Sequence, residues 1–174
     1  GTQASFSNSD DAATAIPGIS NVFPSGIKFG SNFYDSIYIN TNGMVTFGSG
    51  FTGYSPNGLS AGIYSGGSYV PAIAAYWMDL YLGASVPPSS GGNSTGSNKI
   101  YYALDTTNAN IVVTWDDVGY FGNSSTIAGA FQIILHNAGS GNMDITIRYE
   151  YTNSSSGFAA GWNVGKSGGV AETD

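Results

Sequence analysis

The sequence predicts an all-β domain, an antiparallel β-sandwich with long Gly/Ser/Asn-rich loops. Three features predict it: very few charges, many aromatic and β-branched residues, and repeated period-two alternation without any sustained helical period. Charged residues make up 9% of the chain, far below the roughly 25% usual in soluble proteins. Ser, Thr, Asn and Gly take their place, and these favour turns, strands and caps over exposed helices. Aromatic and β-branched side chains suit a pleated, half-buried surface.

The strands can be read in order. Ser36–Asn40 and Met44–Phe47 form a hairpin through Asn42-Gly43, a dipeptide suited to the positive φ angles of a type I′ turn. Gly48–Ser68 has Phe51, Tyr54, Leu59, Ile63 and Tyr64 broken up by Gly, Pro and Asn, and reads as an irregular loop. Val70–Trp77 is a buried strand. Ser85–Ser97 is low in complexity and is expected to be a mobile surface loop within the domain. Ile100–Asp105 and Ile111–Asp116 form a second hairpin across residues 106–110. In the third, Phe131, Ile133 and Leu135 lead through Asn137–Gly141 into Met143, Ile145, Ile147 and Tyr149. Asp144, Thr146, Arg148 and Glu150 occupy the other, wet face of that last strand. Phe158–Val164 completes the set. Dense strands without crossover helices favour two packed antiparallel sheets in one domain spanning 1–174.

Lys and Arg number 4 against 11 Asp and Glu, a formal charge of −7. Lys28, Lys99, Arg148 and Lys166 cannot make a basic patch, which argues against nucleic-acid partners and anionic membranes. No apolar run is long enough for a membrane-spanning helix. The cysteine count is zero, which excludes disulfides, thiolate chemistry and Cys-ligated zinc. An acidic, Lys-poor, cysteine-free surface suggests a bacterial extracellular setting, secreted or at the cell surface. A start at Gly1 suggests either a processed mature protein or, with no anchor or sorting signal in view, a segment of a larger chain, and the second is the expectation.

Few motifs carry chemistry. Ala160–Ser167 fits a relaxed phosphate-loop pattern, and Gly165-Lys-Ser167-Gly-Gly169 fits a hydrolase elbow. Both need a strand–turn–helix context that the remaining residues cannot supply. The lone His136 sits near a strand end and reads as structural or solvent-facing. Asp116 and Asp117 are adjacent, so on a regular strand they face opposite surfaces, whereas Asp79 at the end of a buried strand can meet Asp116 in space. Asp79, Asp116 and Asp117 are candidate calcium ligands; the pair Asp79 and Asp116 could instead serve glycoside hydrolysis or simply cap turns. Sequons at Asn93, Asn123 and Asn153 fall in expected loops and occur no more often than chance allows. Trp77 and Trp115 lie on apolar strands and are expected in the core. Tyr54, Tyr64 and Tyr69 are candidate ligand-binding residues, since exposed aromatics stack on sugars and anchor interfaces.

Five segments in order resemble the nidogen-like (NIDO) extracellular domain. They are Tyr38-Ile-Asn-Thr-Asn-Gly43-Met-Val-Thr-Phe-Gly48, Pro71-Ala-Ile-Ala-Ala-Tyr-Trp77-Met-Asp79, Val113-Thr-Trp115-Asp-Asp-Val118-Gly119-Tyr120, Ala130-Phe-Gln-Ile-Ile-Leu135 and Ala160-Gly-Trp-Asn163. The motif-bearing core runs from about Phe23 to about Gly165. The resemblance implies an extracellular module of adhesion and matrix proteins with no catalysis, and it supplies no ligand-binding residues to carry across. The absent cysteines lean towards a bacterial surface adhesin. The expected function is therefore binding to an extracellular protein or glycan. A structural spacer is the alternative, and a carboxylate-dependent glycosidase a further one.

Overall fold

A computed structural model describes residues 1–56, 59–154 and 157–167. The first half of the chain contributes β1 (Thr2–Gln3), β2 (Ala13–Ala15), β3 (Ile27–Phe29), β4 (Asn32–Tyr34), β5 (Ile37–Asn40), β6 (Met44–Phe47), β7 (Ile63–Ser65), β8 (Ser68–Val70) and β9 (Ala72–Trp77). The second half contributes β10 (Leu80–Tyr81), β11 (Lys99–Asp105), β12 (Asn110–Tyr120), β13 (Asn123–Gly139), β14 (Asn142–Thr152) and β15 (Ala159–Asn163). A 3-10 turn at Ile19–Asn21 is the only helical element among the described residues.

Every strand pairing is antiparallel. One sheet runs β1-β11-β12-β13-β14, with β10 added along the far end of β12. The other runs β15-β9-β6-β5-β2. Their inner faces interdigitate, as period-two alternation requires. Ile37, Ile39, Val45, Phe47 and Ile73 come from one sheet, and Ile111, Val113, Trp115, Phe131, Ile133 and Leu135 from the other. Trp115 is fully buried and stacks on Phe131 at 5.0 Å. Its indole N–H donates to the Asn40 carbonyl across the sandwich at 3.2 Å, so the ring's one polar atom is satisfied in the core. Each large apolar side chain buried here contributes roughly 1.5–3 kcal/mol.

Both faces of β6 and β9 are buried, which alternation alone does not foresee. The outward-facing Met44, Ala72, Ala74 and Trp77 form a second apolar cluster with Leu59, Ile63 and Val70. The segment read as an irregular loop, Gly48–Ser68, covers this face. Phe51 packs edge-on against Trp77 at 5.8 Å. Irregular backbone needs partners for its polar groups, and the sheet provides donors for its carbonyls. Thr46 Oγ1 donates to Ser49 O at 2.6 Å, Trp77 Nε1 to Gly53 O at 2.9 Å, and Asn163 Nδ2 to Leu59 O at 2.9 Å. Asn40 Nδ2 donates to Phe51 O.

Two turn assignments change. The segment is not wholly irregular: β7 and β8 pair as a hairpin with Ser65 opposite Ser68. Gly66 and Gly67 between them have φ of 60° and 89°, the positive pair that a type I′ turn requires. The 40–44 turn is instead a three-residue connection, with Asn40 opposite Met44. Only Gly43 there has positive φ, at 84°. Burial of Asn42 explains the difference: its side chain is tied to other parts of the fold and cannot swing freely with a tight two-residue turn.

Candidate functional site

The family-like N-T-N-G stretch is a buried polar hub. Asn40, Thr41 and Asn42 are all completely buried. Asn40 Oδ1 accepts from the Asn42 amide at 2.8 Å. Thr41 exchanges with Ala12, donating its amide to Ala12 O at 2.9 Å and accepting the Ala12 amide on Oγ1 at 3.0 Å. Asn42 Oδ1 accepts from the Leu80 amide at 2.9 Å, and Asn42 Nδ2 donates to Asp11 Oδ1 at 2.7 Å. Gly43 O accepts the amides of both Ala75 and Tyr76, at 3.0 and 3.2 Å. A short turn thus joins β2, β9, β10 and, through Trp115, the opposite sheet. Its residue types are explained by the fold and leave no group for a ligand.

Asp116 and Asp117 do cooperate, contrary to the opposite-face expectation. Between Trp115 and Val118 the β12–β13 register shifts, and Asp117 takes φ of 51°. This bulge cancels the alternation and turns both carboxylates towards residues 89–97. Asp116 accepts from the Thr95 amide at 2.8 Å, Thr95 Oγ1 at 2.5 Å and the Ser97 amide at 3.3 Å. Asp117 accepts from the amides of Ser89 and Gly96, at 3.1 and 2.8 Å. Burial raises the Asp116 carboxyl, but the Ser97 and Thr95 groups facing it outweigh that and hold it below the usual carboxylate range. Ser97 Oγ lies buried there without a hydrogen bond of normal geometry.

Glu150 completes the clamp from β14. A second register shift leaves it as the extra residue between Tyr149, opposite Phe131, and Tyr151, opposite Ala130. Its carboxylate accepts from the Asn93 and Ser94 amides at 2.7 and 2.9 Å and from Ser89 Oγ at 3.0 Å. The Ser94 hydroxyl and the Asn93 amide are the main reasons its pKa is drawn down to about 2. The segment expected to be mobile is therefore fastened at many points, although it has no regular secondary structure.

Asp79 does not join Asp116. It meets Asp10 and Asp11, with one carboxylate oxygen of each lying within 4.8 Å of the others. The backbone supports this meeting: Asp10 bridges to Tyr81, and Asp11 holds φ of 44°. Burial, then the charges of Asp11 and Asp10, push the Asp79 carboxyl up. Burial, then Asp11, push up that of Asp10. Asp10 Oδ1 is shut off from solvent without a hydrogen-bond partner. Such an all-oxygen set has the chemistry of a hard divalent-cation site. Asp10 and Asp11 escaped the sequence reading because no strand pattern surrounds them. Their adjacency in a chain this poor in charge was the available signal.

The candidate tyrosines are all on the surface. Tyr54 is 52% exposed, Tyr64 64% and Tyr69 36%. Tyr64 and Tyr69 sit directly opposite each other on β7 and β8, their rings 5.0 Å apart edge to face. Trp77 and Trp115 are core residues, as expected. His136 is exposed and its Nδ1 pairs with Asn110 Oδ1 at 3.0 Å across the β12–β13 ladder. In the phosphate-loop lookalike, Trp162 lies within β15, and Asn163 Oδ1 accepts the amides of Gly165 and Lys166, forming a local turn. The hydrolase-elbow lookalike extends to Gly169, which lies outside the described residues. Of the sequon asparagines, Asn93 and Asn153 fall outside strands, whereas Asn123 opens β13.

Comparison with known proteins agrees with this arrangement of motifs. The nidogen-like domain family matches residues 35–167. Alpha-tectorin of Mus musculus is 28% identical over 140 residues. That match covers 74% of this chain and 6% of alpha-tectorin. No solved structure matches.

Proposed function

The chain belongs to the nidogen-like domain family, and from that premise we propose that it is an extracellular binding module of a larger surface or matrix protein. It contacts a protein or glycan partner through the β7–β8 hairpin. The observation that carries this reading is the Tyr64–Tyr69 pair, two large aromatic rings exposed side by side on a strand pair. The hairpin tip stands clear: a Cβ added at Gly66 or Gly67 would meet no atom within 4 Å. Aromatic rings at such a place suit stacking on a sugar or anchoring in a protein pocket. The cysteine-free sequence supports a bacterial surface protein as the parent.

Catalysis by the pair Asp79 and Asp116 is disfavoured, since Asp79 lies with Asp10 and Asp11 and loop groups occupy the Asp116 oxygens. A structural-spacer role is favoured by a separate observation, the complete use of the N-T-N-G residues in holding the sandwich together. Calcium remains a candidate ligand, proposed now at Asp79 with Asp10 and Asp11 in place of Asp116 and Asp117. The test of the main reading is solid-phase binding of the domain to host cells, matrix proteins and arrayed glycans. Binding that weakens in Tyr64→Ala/Tyr69→Ala supports the hairpin. Binding to none of them favours the spacer.

A further inference from the structure

The outer face of the six-stranded sheet carries a row of polar side chains in direct register across four strands. Tyr101 lies opposite Thr114, Thr114 opposite Gln132, and Gln132 opposite Arg148. The adjacent Val113, Trp115, Phe131 and Ile133 fill the core, so alternation directs this row outward. Two adjoining cavities of about 500 and 570 Å³ lie along it and share Thr114, Asp116 and Gln132. Both fall in the size range of small-ligand sites. The first is walled by Gly91–Ser94, the segment that Asp116, Asp117 and Glu150 hold in place. A floor on rigid strands and a fastened wall make a preformed groove.

Its hydrogen-bonding groups narrow the ligand. Gln132 Nε2 donates to Thr114 Oγ1 at 2.8 Å, which orients the amide and leaves its carbonyl oxygen as an acceptor. Arg148, one register position along, is exposed, and its guanidinium makes no hydrogen bond or ion pair with other described residues. A free acceptor beside a free donor fork is what neighbouring hydroxyls take up. The Tyr101 ring at the other end of the row adds an aromatic surface. Asp105, Asp116 and Glu150 line the two cavities against Arg148, their one cationic side chain, so an anionic ligand meets repulsion. We propose that this groove binds a neutral, extended oligosaccharide, with Gln132 and Arg148 taking its hydroxyls and Tyr101 its ring face.

The proposal rests on the extracellular setting given above but not on the tyrosine hairpin, which covers the outer face of the other sheet. The test is an array of gluco-, galacto- and manno-configured tetramers and hexamers alongside sulfated and uronic-acid glycans. It is probed with the wild-type chain, Arg148→Ala, Arg148→Lys, Gln132→Ala and Tyr64→Ala/Tyr69→Ala. Thermal melts of each variant confirm folding. The expected result is binding to a neutral series that falls at least about tenfold in Arg148→Ala and Gln132→Ala, equivalent to about 1.4 kcal/mol. Arg148→Lys should fall too, because an ammonium lacks the fork. Binding confined to sulfated or uronic-acid glycans overturns the proposal, as does no glycan binding by folded wild type. Loss in the tyrosine variant with none in the groove variants also overturns it while supporting the hairpin.

Discussion

Among the described glycines, Gly43 is the one where an added Cβ would run closest into main chain, so Gly43→Ala should be severely damaging. A Cβ at Gly43 would lie 2.0 Å from the Tyr76 carbonyl oxygen and 2.7 Å from its carbon. Real Cβ contacts stay beyond 3.0 Å, so the turn or β9 must move by about 1 Å. The obstacle is main chain and cannot rotate aside. The φ of 84° adds about 1–2 kcal/mol for a residue bearing a Cβ. Displacement strains the bonds from Ala75 and Tyr76 to Gly43 O and from Leu80 to Asn42 Oδ1, all in a buried setting. Each buried group left unpaired costs about 1–3 kcal/mol. The total is about 4 kcal/mol or more, a large part of the roughly 5–15 kcal/mol that holds a domain folded. Gly66→Ala is the internal control, with φ of 60° and no atom within 4 Å of the new Cβ. It should cost only the backbone term, about 1–2 kcal/mol. Urea and thermal unfolding of both variants give the comparison. At about 2–4 °C per kcal/mol for a domain of this size, Gly43→Ala should lower Tm by about 10 °C or more, or prevent folding. Equal losses in the two variants would refute the hub.

Other outcomes follow from the same structure. Glu150 has its pKa lowered from 4.5 to about 2, so its contribution to the clamp is complete above about 4.5 and is lost as the pH falls towards 2. Glu150→Gln should therefore speed amide exchange at Asn93 and Ser94 at pH 7 while leaving global Tm nearly unchanged; unaltered exchange would count against the clamp. The Asp79 carboxyl is raised above 3.8 by burial and then by Asp11 and Asp10, so the stability tied to its protonation is full below 3.8 and declines as the pH rises through the raised value. At pH 7 without divalent cations, Asp79→Asn should raise Tm by a few degrees at most. Millimolar calcium should stabilise wild type but not the variant, and a wild-type Tm indifferent to both calcium and EDTA dismisses the cation site. Trp77→Phe removes the bond to Gly53 O and part of the cover over the five-stranded sheet, costing about 1–3 kcal/mol. Limited proteolysis should then cut residues 48–62 faster than in wild type.

What was legible in the sequence is what obeys a period. The 100–116 and 131–149 hairpins and the core position of Trp115 were readable because alternation commits each side chain to one face, and Trp77 was readable because its whole strand is apolar. The unforeseen parts lie where that period breaks. A bulge with Asp117 at positive φ turned two carboxylates of opposite parity onto one loop. The 85–97 segment looked free because its anchors, Asp116, Asp117 and Glu150, are far away in sequence and leave no local pattern. Gly48–Ser68 hid its role for a similar reason, since several of its ties to the sheet run through backbone carbonyls, which carry no sequence signature. Tyr54, Tyr64 and Tyr69 are exposed, which leaves them free for the contact proposed above.

The most direct measurement is binding of the chain to host cells and to immobilised matrix proteins and glycans, made in parallel with Tyr64→Ala/Tyr69→Ala at matched Tm. The account predicts saturable wild-type binding that drops at least about tenfold in the double variant, the loss expected when interface anchors are removed. Wild-type binding that the double variant retains in full, or no binding to any of these surfaces, would contradict it.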